Sequence, residues 1–380
     1  MPVAPVMPGA MLGVLGGGQL GRMFTAAAQQ MGYQVTVLDP AADSPAGRSA
    51  DRLICADYTD QATLERLANE CAAITTEFEN IPALSLRQLS ERCVVSPDAN
   101  SVAIAQDRVL EKQFLRDNDV AVAPYAVIQR QSDQAAQPVA HLLPGILKVS
   151  QFGYDGKGQK SVSHQADLTA AYAQLNHPIC VLEKFMPLQC EISVVVARSS
   201  DGEIKTFPVA ENQHVNGILD ISIVPARIPS ALAQQAQAIA CLIAERLHYQ
   251  GVLCVEFFVV QNDELLVNEI APRPHNSGHY SIDACVTSQF EQQVRTLCNL
   301  PLGETRQHSA AVMVNLLGDL WQSGTPDWNT ILQHPAAKLH LYGKTDVRPG
   351  RKMGHFTVLS ADVDEAFRHA LRIKQQLERH

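Results

Sequence analysis

The 380-residue sequence predicts a mixed α/β and α+β protein: a doubly wound parallel α/β domain, then a mainly antiparallel region, then a small C-terminal domain. Three observations carry this. The chain is too long for one compact core. Its first hundred residues alternate short apolar strands with amphipathic helical stretches, the pattern of a parallel sheet. Beyond residue 118 strands follow one another without regular helices between them. The expected boundaries are 1–105, 106–307 and 308–380.

The first strand is expected at residues 11–16 (MLGVLG). A glycine turn, a helix over Gln19–Met31 and a second strand at 33–39 complete a β-turn-α-β unit of about 30 residues. The alternation continues with a strand at 52–57, a helix at 60–70, strands at 72–78 and near 93–96, and a helix at 82–91 between them. A helical stretch follows at 100–118. VAPYAVI, GILKVSQ, CVLEKFM, CEISVVVAR and EIKTFPVAE then read as strands. A long helix is expected at 230–248. The runs GVLCVEFFVV and ELLVNEIA, separated by Gln261-Asn262-Asp263, form a hairpin. The tail offers two strands, AAVMVNLLG and AKLHLYGK, a basic loop, and an amphipathic helix from 363. The segment before Met11 carries prolines and alanines and is expected to be disordered and without catalytic weight.

Composition excludes several classes of function. The formal charge is −9, and such a surface repels a polyphosphate backbone, so no nucleic-acid partner is expected. No stretch reaches the ~18–20 apolar residues of a membrane span, and no basic leader precedes one. The nine cysteines show no Cys-x-x-Cys spacing and read as reduced core residues, which implies a cytoplasmic protein.

Gly16-x-Gly18-x-x-Gly21 follows a strand and opens a helix. It suits a phosphate drawn to a helix N-terminus, with Asp39 near the place of a ribose-binding acid. A dinucleotide site, a different polar-substrate site and a tight structural turn all remain open. Gly153-Tyr154-Asp155-Gly156-Lys157-Gly158-Gln159, preceded by Lys148, is a flap that can close over phosphates or a plain hairpin turn. Glu183, Lys184, Phe185 and Met186, with Glu191 beyond, could hold an adenine and its ribose or form an exposed strand end.

Glu256 and Glu269 are the most telling residues. A carboxylate in so apolar a strand is costly unless paired or bound to a cation. Two of them on adjacent strands, beside Asn268, suit Mg²⁺ carried with substrate phosphates. Arg273, His275, Asn276, Ser277 and His279 read as an anion-binding or proton-transferring loop, or as a structural one. Lys344, Arg348, Arg351 and Lys352 form the basic cluster, either a phosphate site or a solvated loop.

Together, in this order, GVLGGGQLGRM, TTEFENIP, GYDGKGQ, NEIAPRPHNSGH and VRPGRKMGH resemble the ATP-grasp superfamily. Within it they are most similar to the N5-carboxyaminoimidazole ribonucleotide synthase family. The resemblance runs from residue 11 to the C-terminus and implies a central ATP-grasp fold. It also implies an ADP-forming ligase that joins bicarbonate to 5-aminoimidazole ribonucleotide through carboxyphosphate. Carried over residue by residue, it implies ATP contacts at Arg108, Lys148, 153–159, Glu183–Met186, Glu191, His214, Asn268 and Glu269. Glu256 and Glu269 would bind Mg²⁺, with Mn²⁺ as an alternative. Arg273, His275, Asn276 and Ser277 would hold bicarbonate or carboxyphosphate, with Tyr154 and Asp155 near the reacting amine. Gln19, Leu20, Glu77, Lys344 and Arg351 would hold the ribonucleotide. A homodimer is also implied. The competing readings are an NAD-dependent dehydrogenase, another carboxylating or formylating ATP-grasp ligase, and a non-catalytic nucleotide sensor.

Overall fold

A computed structural model describes residues 4–129, 139–151, 153, 158–176 and 178–379. The N-terminal unit is built from β1 (Met11–Leu15), α1 (Gln19–Gln30), β2 (Gln34–Leu38), β3 (Arg52–Ile54), α2 (Gln61–Glu70), β4 (Ala73–Thr76), α3 (Ala83–Ser90) and β5 (Val94–Ser96). Its strands are parallel and ordered β3-β2-β1-β4-β5. This is the expected doubly wound sheet. The order reverses direction between β1 and β4, the place where such sheets open a crevice at the strand C-termini. The glycine turn follows β1 there, and Glu77 follows β4 directly.

The segment expected to be disordered is instead docked from residue 4 onward. Val6 donates its N–H to the Cys298 carbonyl (2.9 Å) and accepts from the Tyr33 hydroxyl (2.7 Å). Its apolar side chain joins the N-terminal core, which outweighs the backbone cost of ordering. The helical stretch near 100–118 is two helices, α4 (Ala99–Gln106) and α5 (Arg108–Asp117). Asp107 breaks them with an extended backbone and caps α5 by accepting the Val109 N–H.

A four-stranded antiparallel sheet follows, ordered β6-β9-β7-β8, from β6 (Tyr125–Ile128), β7 (Gly145–Val149), β8 (Gln159–Val162) and β9 (Cys180–Lys184). The helix α6 (Gln165–Leu175) covers it through Leu168 and Ala171. The large sheet starts with β10 (Leu188–Arg198), β11 (Ile204–Thr206), β12 (Ala210–Val215) and β13 (Ile218–Val224). After the helix α7 (Ser230–Arg246) come β14 (Gly251–Val260) and β15 (Glu264–Ala271). The α7 residues Leu232, Ala236, Ala240 and Ile243, spaced three and four apart, pack on Ile192, Val194, Val255 and Phe257. The β14–β15 turn works because Asn262 and Asp263 take positive φ, 61° and 58°, a conformation these side chains tolerate.

The helix α8 (Gln289–Leu297) returns to the N-terminal unit, and β16 (Ala310–Leu317), β17 (Ala337–Leu341), β18 (Lys352–Ser360) and α9 (Val363–Leu377) close the chain. The C-terminal strands do not form their own sheet. β16 pairs antiparallel with β13, so the described residues make one nine-stranded sheet running β15-β14-β10-β12-β13-β16-β18-β17, with β11 on β10. β18 starts inside the basic stretch expected as loop; antiparallel pairing with β16 on one side and β17 on the other makes it a strand, buried without a break from Met353 to Val358. Ala366, Ala370, Ile373 and Leu377 seat α9 on it. Cys55 is exposed, against the expectation of a core position; the buried cysteines are 71, 180, 254, 285 and 298.

Phe257 is 1% exposed and fills the space under α7, while its neighbour Glu256 points to the other face of the sheet. Truncating Phe257 to Ala should cost about 3–5 kcal/mol, measured by urea unfolding. A loss under about 1 kcal/mol would contradict the packing described for this hairpin.

Candidate active site

On the small sheet, Glu183 lies opposite Ile146, and Lys148 follows two residues on along the same face. Lys148 Nζ donates to Glu183 Oε2 at 2.9 Å. From α5, Lys112, 0% exposed, brings its ammonium 3.2 Å from Glu183 Oε1. Burial opposes ionisation of Glu183, but Lys148, Lys112 and the more distant Arg108 outweigh it and hold the carboxyl at about 2. The Lys148 ammonium is pushed below the usual lysine range, chiefly by burial. Positive charge thus crowds one wall of the cleft, as a polyphosphate requires. Lys184 and Phe185 form the exit from β9, their N–H groups donating to the Pro124 and Pro144 carbonyls at 2.9 Å. Phe185 is exposed, and Met186 packs with Ala123, Phe258, Val260 and Leu266 into an apolar shelf. Gly158 takes φ 74°, and Gln159 starts β8 opposite Lys148. Gly153 is described, while Tyr154, Asp155, Gly156 and Lys157 lie outside the described residues.

The glutamate pair depends on an irregularity in the β14–β15 hairpin. Glu256 pairs with Glu269, but Phe257 pairs with Val267, which leaves Asn268 as an extra residue. Such a bulge re-aims side chains. Residues directly opposite share a face, so both carboxylates look into the cleft. Burial and the nearby Glu269 push the Glu256 carboxyl up to about 8. Asn268 Oδ1 is buried without a hydrogen-bond partner. Two carboxylates and an unsatisfied amide oxygen fit a hard divalent cation. Among the described residues no group of three or more His, Cys, Asp or Glu side chains is arranged to hold an ion without other ligands. Arg108 approaches Glu269 at 3.4 Å, and Glu111 accepts the Ile270 N–H at 2.6 Å, fixing β15 beside the pair.

His275 Nε2 stands 3.5 Å from Glu256 Oε1. From its Nδ1 a buried chain runs through Ser277 Oγ (2.8 Å) to Ser193 Oγ (2.7 Å), Asn212 (2.9 Å) and Ser222 (2.8 Å). Burial, then Arg273 and Lys352, keep the His275 imidazole well below its ordinary range, so it is neutral at pH 7. Asn276 exchanges two hydrogen bonds with Asn315 of β16, at 3.1 and 2.7 Å. Arg273 pairs with Glu79 of the N-terminal unit. Glu191 and His214 face each other at 3.2 Å on β10 and β12.

At the crevice of the N-terminal sheet, protein carboxylates occupy the amides of the first glycine turn. Gly17 N–H donates to Asp39 (2.6 Å), and Gly18 and Gly21 donate to the two oxygens of Glu77 (2.6 and 2.8 Å). A Cβ at Gly18 would lie 2.3 Å from Glu77 Oε1. A pyrophosphate cannot use those donors while the carboxylates hold them, which removes the reason for a dinucleotide here. Gln19 opens α1 half-buried, whereas Leu20 is in the apolar core. The basic turn 343–351 stands over this crevice. Lys344 donates to the Lys352 carbonyl (2.7 Å), and Arg351 is held by Asp346 (2.8 Å). Arg22 and Arg48 approach the same turn, 3.4 and 3.5 Å from the Cβ position of Gly343.

Comparison with known proteins identifies the family and its three domain types. Residues 10–106 match the ribonucleotide synthetase preATP-grasp domain, 113–290 the ATP-grasp domain, and 311–369 the phosphoribosylaminoimidazole carboxylase C-terminal domain. The N5-carboxyaminoimidazole ribonucleotide synthase of Bacillus subtilis is 44% identical over 362 residues, covering 95% of this chain and 94% of its own. The chain belongs to the N5-carboxyaminoimidazole ribonucleotide synthase family. The synthase of Brucella melitensis is 43% identical over 94% of this chain and 98% of its own. A crystal structure of an ADP complex of an N5-carboxyaminoimidazole ribonucleotide synthetase superposes with a TM-score of 0.91 at 42% identity, covering 99% of this chain and 100% of that one. The Aspergillus clavatus synthase, crystallised with ADP and 5-aminoimidazole ribonucleotide, gives 0.90 at 30% identity, covering 98% and 99%.

Several residues of this synthase-family cleft escape sequence reasoning. Lys112 and Glu111 read as ordinary polar helix positions, and the Asn315 partner of Asn276 carries no motif. Arg22 and Arg48 are isolated in sequence from the basic turn they join.

Replacing Glu183 with Ala leaves buried Lys112 without its carboxylate, and should cost about 3–5 kcal/mol near neutral pH by denaturant unfolding. The depressed Glu183 carboxyl stabilises the fold fully above its unfolded pKa near 4.5, and that contribution disappears as pH falls toward about 2. The difference between wild type and Glu183→Gln should therefore shrink across that window; a constant difference down to the lower end contradicts the ion-pair account.

Proposed function

We propose that the chain catalyses ATP-dependent carboxylation of 5-aminoimidazole ribonucleotide with bicarbonate. The products are N5-carboxyaminoimidazole ribonucleotide, ADP and phosphate, and the step belongs to de novo purine biosynthesis. The observation that carries this reading is the opposed Glu256–Glu269 pair between a cation-rich wall at Lys148 and the Arg273–Ser277 loop. Arg108, Lys148 and the 153–159 segment hold the triphosphate, with the Glu183–Met186 exit for the adenine and Glu191 and His214 for the ribose. Gln19, the backbone of Leu20, Glu77, Lys344 and Arg351 receive the ribonucleotide, the two basic residues at its phosphate.

Bicarbonate is a poor electrophile. A bicarbonate oxygen attacks the γ-phosphorus, ADP leaves, and the resulting carboxyphosphate carries a phosphate leaving group. The ribonucleotide amine then takes the carboxyl carbon, releasing phosphate and one proton. Phosphoryl transfer needs chiefly positioning and charge neutralisation, which Arg108, Lys148 and Arg273 offer. Glu256, Glu269 and the Asn268 oxygen would hold Mg²⁺, or Mn²⁺, and the ion supplies neutralisation of phosphoryl charge when bound. Tyr154 and Asp155 are proposed beside the reacting amine. A cytoplasmic location is supported by nine free cysteines. The homodimer that the family resemblance implies is tested by the mass in solution.

ADP release should require bicarbonate and aminoimidazole ribonucleotide together. Lys148→Ala and Glu269→Ala should each lower kcat/KM by about 10²-fold or more in a coupled ADP assay. Full turnover in Glu269→Ala would remove the metal assignment, and ADP release with formate in place of bicarbonate would change the substrate. Lys344→Ala should raise the ribonucleotide KM about tenfold with kcat nearly unchanged, as expected for a contact made equally in ground and transition states.

A further inference from the structure

The helix α8 buries its polar side. Gln289 and Gln292 are 0% exposed, Gln293 5% and Thr296 1%. The neighbouring Phe290, Val294 and Leu297 belong to the N-terminal core with Leu12 and Phe24. An amphipathic helix ordinarily turns its polar stripe to water. Here both stripes are covered, because α8 is wedged between the N-terminal unit and the central sheet. Buried amides are stable only when their hydrogen bonds are met, and the partners of these glutamines are specific.

Gln289 clamps the backbone of His275 from both sides. Its Oε1 accepts the His275 N–H at 2.9 Å, and its Nε2 donates to the His275 carbonyl at 2.8 Å, with His279 Nδ1 at 3.1 Å. One turn further, Gln293 Nε2 donates to Thr75 Oγ1 (3.0 Å) and to the Thr76 carbonyl (3.3 Å). Thr76 ends β4, and the next residue is Glu77, which carries the first glycine turn on its carboxylate. Residues four apart on a helix share a face, about 6 Å between Cβ atoms. One rigid turn of helix thus joins the loop proposed to hold carboxyphosphate to the strand end proposed to hold the ribonucleotide.

We infer that Gln289 and Gln293 are positioning residues that set the distance between the two half-reactions, so that the amine meets the acyl carbon before water does. The inference rests on the functional reading above. Its chemistry is plain: carboxyphosphate reached by water returns bicarbonate and phosphate, so ADP is released without carboxylated product. A misplacement of about 1 Å costs on the order of 10²-fold in an oriented reaction, while phosphoryl transfer on the far side of the loop is unaffected.

The test measures ADP and carboxylated ribonucleotide in the same reaction, using the full chain with ATP, Mg²⁺, bicarbonate and aminoimidazole ribonucleotide. Gln293→Met keeps the bulk and removes both donors; Thr75→Val removes one partner at constant shape and serves where the first variant fails to fold. The expected result is ADP formation within about twofold of wild type and a ratio of ADP to product raised roughly tenfold in Gln293→Met, less in Thr75→Val. A merely structural role lowers both products together. An unchanged ratio in folded variants therefore overturns the inference, whether or not the rate falls. A wild-type chain that releases no ADP with both substrates overturns the functional reading instead.

Discussion

Glu256 and Glu269 stand opposite each other on paired strands, and the cost of ionising both at once, which holds Glu256 up to about 8, organises the cleft around them. Like charges directly across a sheet destabilise it. Here the cost is concentrated at one place and directed toward a ligand. Arg108 partly offsets it from α5, His275 meets Glu256 as a neutral ring, and Glu111 secures β15 through a backbone amide. The unsatisfied Asn268 oxygen lies at the same spot. Without the bulge, Asn268 and Glu269 would alternate faces and the pair would not form.

The other elements supply what that pair lacks. Lys148 and Lys112 bring positive charge on the small sheet, held in place by Glu183. The Arg273–His279 loop is fixed from three sides: by Glu79 on the N-terminal unit, by Asn315 on β16, and by Gln289 on α8. Each domain therefore contributes a support to one loop, and burial makes each support costly to remove.

Much of this was legible in the sequence, and the gaps have physical causes. Strand-helix alternation has a strong period, so the N-terminal sheet could be read directly. The glutamates stood out because an apolar strand makes a carboxylate conspicuous. The bulge did not, because it changes the count of paired residues and not the residue types. The start of β18 looks like loop in sequence because Lys352 and Met353 continue a basic, proline- and glycine-bearing run; the pairing with β16 makes it a strand. Lys112 and the α8 glutamines were invisible for the opposite reason: polar helical residues are read as solvated unless something covers them. The first glycine turn is ambiguous in sequence because the spacing of its glycines does not reveal that Asp39 and Glu77 occupy its amides.

The pairing of β13 with β16 has a mechanical meaning. The glutamate hairpin and the strand leading out of the basic turn lie toward opposite sides of one hydrogen-bonded plate, so they cannot hinge apart as separate bodies without breaking that ladder. The four-stranded sheet shares no strand with the plate and joins it through the backbone near Val122 and through the 184–188 connection. The cleft is built like a vice with two separate jaws: one plate carries Glu256 and Glu269, and an independent sheet carries Lys148.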